Sequence, residues 1–100
     1  MIIHIVMWKL KESAEGVLKE KNAEIMKVEL EALKDKISFI NKIEVGINFN
    51  ESDAAYDVVL YSEFDSKEAL NEYQKHPEHL KVGGFVGKVT EKRVVADYER

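Results

Sequence analysis

The sequence predicts an α+β fold of the ferredoxin-like kind, with element order β-α-β-β-α-β forming a dimeric barrel. Three observations carry this expectation. Residues 2–9 are rich in β-branched residues and apolar on both alternating faces, the mark of a central strand. Two amphipathic helical stretches follow at intervals. Between them, residues 42–49 and 56–64 alternate strictly around the turn-forming run Asn50 to Asp53, which reads as a hairpin.

In the first strand, Ile3, Ile5 and Met7 face one way and His4, Val6 and Trp8 the other. From Ser13, read as an N-cap, a long polar segment carries Leu18, Ile25, Met26, Leu30, Leu33 and Ile37 close to a 3.6-residue period, so a long helix is expected to start there. Ile43, Val45, Ile47 and Phe49 alternate with polar residues as an edge strand, and Val58, Leu60 and Phe64 form the inner side of its hairpin partner. Asp65 followed by Glu68 reads as a capping box for a helix whose inner face is Ala69, Leu70 and Tyr73. Pro77 disfavours helical geometry at His76 and suits the first turn of a new helix. Gly83, Gly84 and Gly87 weaken that helix and read as a flexible lid beside His79. Residues 93–98 form the last strand.

This topology puts both helices on one face of the sheet and leaves Ile3, Ile5, Met7, Val59 and Tyr61 on the other. An apolar face of that size calls for cover. Packing two sheets face to face would bury it and use up the edges, so a homodimer is expected.

At 100 residues the chain has the length of one domain, residues 1–100. With 15 basic against 19 acidic residues it carries net charge −4, the wrong sign for a phosphate backbone, so nucleic acid is not expected as a partner. Without cysteine there is no thiol nucleophile, disulfide or Cys-rich zinc site. The apolar start has neither a preceding basic stretch nor a small-residue cleavage site, and no run nears the ~18 apolar residues of a membrane span. A soluble, cytoplasmic protein with no membrane partner is the expectation.

The residues that could carry chemistry are few. Serines lack the Gly-x-Ser-x-Gly elbow, and the run from Gly83 to Gly87 lacks the Lys-Ser/Thr ending of a phosphate loop. His76, Glu78 and His79 have the chemistry of transition-metal ligands, but Pro77 breaks the helix between the rings, so a capping histidine and a surface turn are the plainer reading, and no metal is expected. His4 is a polar residue inside an apolar strand. It is either a core histidine with its hydrogen bonds met or part of a cavity between helices and sheet where His4, Tyr73 and His79 converge. Histidine titrates near neutral pH and could move a proton there.

His4, the stretch from Asp57 to Ser66, the block from Tyr73 to His79 and the ending from Val94 to Tyr98 together resemble the stress-responsive A/B barrel domain family. The resemblance implies a dimeric α+β barrel. A plant polyketide cyclase of that family works without a cofactor, and by similarity to it His79 of this chain would be the acid/base, Tyr73 would orient that ring and stabilise enolate charge, and His4 would position substrate. Where that cyclase has a second pocket histidine this chain has Val58, and an aromatic wall position holds Thr90. The expected site is therefore His79 and Tyr73 as the catalytic pair, with His4, Val6, Trp8, Val58, Leu60 and His76 around a small apolar or aromatic ligand and no cofactor. Three roles are open: a ligand-binding barrel, a cofactor-independent enzyme, or a structural oligomer.

Overall fold

The computed structural model describes all residues, 1–100. The elements are β1 (Ile2–Leu10), β2 (Ser13–Ala14), β3 (Val17–Leu18), α1 (Lys19–Glu31), α2 (Leu33–Lys36), β4 (Lys42–Ile47), β5 (Val58–Phe64), α3 (Lys67–Lys75), α4 (Pro77–Val89) and β6 (Thr90–Glu99). The main sheet runs β4-β5-β1-β6 with every pairing antiparallel. That is the ferredoxin-like arrangement, with β1 and β5 central. No helix is long and apolar enough to cross a membrane.

The period-two pattern of each central strand sorts its side chains. On β1, Ile2, His4, Val6, Trp8 and Leu10 are all buried, and on β5 so are Val58, Leu60, Ser62 and Phe64. This inner face packs on Ala23, Met26 and Leu30 of α1, Leu33 of α2, Leu70 and Tyr73 of α3, and Val82, Val86 and Val89 of α4. On the other face Met7 is 39% exposed, and its β6 neighbour Val94 is 40% exposed.

Four local expectations need correction. Ser13 does not cap the long helix. It opens the β2–β3 hairpin, whose turn residues Glu15 and Gly16 both have positive φ, 54° and 76°, the geometry of a tight hairpin turn. The helix starts at Lys19, and Leu18 is left exposed. The hairpin is held from inside by buried Asn22, whose Nδ2 donates to the carbonyls of Ala14 and Val17 at 3.1 and 3.3 Å.

The edge strand ends at Ile47, and Phe49 is 96% exposed. Linked side-chain turns draw the chain away from the sheet there: Asn50 N–H donates to Asn48 Oδ1, and Ser52 N–H to Asn50 Oδ1. The cap of α3 is Ser66, one residue after Asp65, with its Oγ accepting from Ala69 N–H at 3.1 Å. Asp65 instead accepts from Asn41. Finally, residues 83–87 are helical, not a lid. Val82, Val86 and Val89 are buried at i, i+4 and i+7, and that packing outweighs the poor helix propensity of the three glycines.

At the sheet edge, Glu31 of α1 accepts from Val45 N–H at 3.0 Å and from Lys27 Nζ at 2.8 Å, and Lys27 Nζ donates to the Val45 carbonyl at 2.5 Å. The lysine beside it holds the Glu31 carboxyl below the usual range. One i,i+4 pair therefore takes both backbone groups of an edge residue.

The hairpin turn supplies a test. Gly16→Ala meets nothing within 4 Å of the new Cβ, so its cost is the positive φ alone, roughly 1 kcal/mol in chemical denaturation. Gly16→Asn, which tolerates that conformation better, should cost less.

Candidate functional site

Between the inner face of the sheet and α4 lies a cavity of about 170 Å³ lined by His4, Val6, Trp8, Leu30, Leu60, Tyr73, His79, Gly83, Val86, Gly87, Thr90 and Arg93. Three elements bring the polar groups to it. His4 comes from the inner face of β1, Tyr73 from the last turn of α3, and His79 from the first turn of α4.

Pro77 determines how the last two meet. His76 adopts an extended ψ of 135° and so ends α3, while its Nδ1 accepts from Glu78 N–H at 3.1 Å and caps α4. The chain bends between the helices, and the rings of Tyr73 and His79 pack edge-on at 4.5 Å between centroids. Phe64 flanks Tyr73 at 5.0 Å and His4 lies at 6.2 Å.

The His4 ring is anchored. Antiparallel register sets it opposite Asp97 of β6, and Nδ1–H donates to Asp97 Oδ1 at 2.5 Å. The carboxylate fixes the tautomer and leaves Nε2 as the free ring nitrogen. Ser62 Oγ–H donates to the His4 carbonyl at 3.1 Å, which ties the same residue to β5.

Tyr73 and His79 are not satisfied in this way. The Tyr73 hydroxyl and His79 Nδ1 are both buried without a hydrogen-bond partner, a costly state for polar atoms. Burial pushes the Tyr73 phenol well above its ordinary range, with the charge of Arg93 opposing weakly. Tyr73 is therefore a proton-bearing donor at all ordinary pH. Burial also lowers the His79 pKa; a backbone hydrogen bond at Gln74 opposes this, and His4, Arg93 and His76 add to the lowering. His79 is thus a neutral imidazole at neutral pH, able to accept a proton.

Of the residues singled out from the sequence, His4, Val6, Trp8, Leu60, Tyr73 and His79 line one cavity. Val58 lies in the core opposite Trp8 but does not line it. His76 caps α4 and lies near the Phe39 ring at 6.5 Å, outside the lining. The sequence alone does not single out Arg93, Leu30 or Val86 for the cavity, nor Asp97 as the partner of His4, and Gly83 and Gly87, expected in a lid beside His79, line it from within α4. Asp97 and Arg93 were reachable: with β1 beside the last strand, register sets them opposite His4 and Trp8. A Cβ added at Gly83 or Gly87 would meet nothing within 4 Å, so these glycines leave the cavity open.

Three comparisons place this geometry among known proteins. A family model described as "Stress responsive A/B Barrel Domain" matches residues 2–100. Among solved structures, a dimeric protein of ferredoxin-like fold from Bacteroides fragilis is 38% identical with TM-score 0.84, the match covering 99% of this chain and 95% of that one. A protein from Arabidopsis thaliana is 27% identical with TM-score 0.80, covering 100% and 95%. The hydroxynitrile lyase from Passiflora edulis is 18% identical with TM-score 0.82, covering 97% of this chain and 90% of that one. No curated protein matches the chain.

The buried imidazole makes stability depend on pH. His79 is neutral in the fold, whereas in the unfolded chain it takes up a proton near its ordinary value of 6.5. The unfolded state then binds more protons, so stability falls as pH drops through 6.5 and levels off once the native ring also titrates. Thermal melts at pH 7.5 and 5.5, about one unit either side of that value, should show a larger loss for the parent chain than for His79→Gln.

Proposed function

Because the chain belongs to the stress-responsive A/B barrel domain family, we propose that it binds a small one-ring ligand in the cavity between sheet and helices, as a homodimer joined through the bare sheet face. The observation that carries the ligand is the pair of buried, unpartnered polar atoms, Tyr73 Oη and His79 Nδ1, at one apolar cavity. A ligand with one oxygen for the Tyr73 O–H and one polar hydrogen for His79 would satisfy both, and would recover the desolvation cost that the empty site bears. The volume supports one ring: about 170 Å³ is close to the ~150 Å³ at which an apolar protein cavity takes up benzene. Leu60 and Trp8 line the space without filling it, and Phe85 does not line it, which counts against a purely structural role.

A second reading rests on the same pair. A neutral His79 beside a phenol that keeps its proton is suited to cofactor-independent acid/base chemistry. His79 would take a proton from a carbon next to a carbonyl, and Tyr73 would donate to the enolate oxygen that forms. His4, held by Asp97, would position the substrate through Nε2.

The dimer rests on the outer face. Val59, Tyr61, Ile5, Met7, Val94 and Ala96 adjoin across three strands, and the Bacteroides fragilis relative is dimeric.

Tyr73→Phe separates binding from stability. It keeps the ring against Phe64 and removes the unpartnered O–H, so the free protein should gain on the order of 1 kcal/mol in denaturant melts while an NMR titration with phenol shows weaker binding. Gly87→Leu should block phenol uptake with the fold intact. Equal phenol binding by all three proteins would overturn the ligand reading. For the enzyme reading, His79→Gln should lower turnover by roughly 10²-fold or more while leaving ligand binding measurable. For the dimer, sedimentation should give two chains for the parent and one for Met7→Glu, since a charge at the centre of the face is left unpaired on association.

A further inference from the structure

The polar chemistry of the cavity is lopsided. Of its twelve lining residues one carries a permanent charge, Arg93, and none is a carboxylate or a lysine. The register that pairs Arg93 with Trp8 puts both on the helix-facing side of the sheet, and Arg93 remains exposed, at the solvent end of a cavity whose deep end holds buried Tyr73. The other arginine, Arg100, is engaged by Glu63 at 3.3 Å and by the Tyr61 hydroxyl. Arg93 has no such partner in the fold. The nearest carboxylate by register on its own strand and face, Asp97, is taken by His4 and borders a separate groove with Ile2, Lys67 and Leu70.

The geometry points to Arg93 as an anion-binding group that makes this cavity selective for small one-ring carboxylates, with the acid group at the guanidinium and a phenolic or carbonyl oxygen at Tyr73. This inference rests on the ligand-binding reading above and adds the charge of the ligand to it. Three features favour a carboxylate over a neutral compound. A guanidinium offers two parallel N–H donors that match its two oxygens. No lining acid competes for those donors. Walls of Val6, Trp8, Leu30, Leu60 and Val86 suit a ring and offer nothing to a second charge. The larger groove beneath residues 48–57 is a contrast within the same molecule: it is bordered by Glu12, Glu20, Glu51, Asp53, Asp57 and Glu91 against Lys9 and Lys19, and repels an anion.

The test compares 4-hydroxybenzoate with its neutral isostere 4-hydroxybenzamide by calorimetric or NMR titration at low ionic strength. The acid should bind the parent chain about tenfold or more tightly than the amide. Arg93→Gln should remove that preference by weakening the acid far more than the amide, and Arg93→Lys should keep part of it, because lysine retains the charge without the fork. Equal affinity of acid and amide for the parent chain, or a preference that survives in Arg93→Gln, overturns the role of Arg93 and leaves the cavity as a neutral ligand site. Failure of both compounds to bind removes the ligand-binding reading and this inference together.

Discussion

The site depends on the break at Pro77. In one continuous helix, Tyr73 and His79 would lie six residues apart and so point about 120° away from each other. Proline denies helical geometry to the residue before it, and His76 turns to an extended conformation and starts a new helix with its own ring as cap. The bend brings the phenol of one helix end onto the imidazole of the next helix start. A covalent restriction of one residue thereby sets the distance between two groups that neither helix could place alone.

The sheet supplies the other half of the site by register. His4 is a polar residue on a buried strand, and it is tolerated because Asp97 lies directly across from it and takes its Nδ1–H. The same ladder carries Arg93 to the cavity beside Trp8. Rigid strands fix these groups, whereas the helix opposite contributes absence: Gly83 and Gly87 offer no side chains where a leucine would close the space. The polar atoms left unpartnered cost the fold stability, a common sign of a site shaped for something other than stability.

Much of this was legible before any coordinates. The alternation of Val58, Leu60 and Phe64 fixed the inner face of β5, and Pro77 marked the helix break. His4, Tyr73 and His79 could be singled out because each is a polar group on an otherwise apolar face. Other features carried no readable signal. The two-residue strands at Ser13 and Val17 are too short for periodicity, and Glu15 is not a residue that advertises positive φ. The glycines of α4 suggested looseness because propensity is local, while the burial of Val82, Val86 and Val89 that holds the helix is tertiary. Phe49 fitted the alternation of its strand, yet the asparagine turns after Ile47 carry it into solvent.

The side-chain plug at Val45 has a consequence for assembly. Lys27 and Glu31 occupy both backbone groups of that edge residue, whereas the opposite edge, β6, runs ten residues, all but Thr90 exposed. Endless head-to-tail growth of a sheet requires each unit to offer two complementary open margins. In this chain one of the two margins is interrupted at its middle, so the same ion pair that fastens a helix to the sheet also makes β4 a poorer template for strand addition than β6.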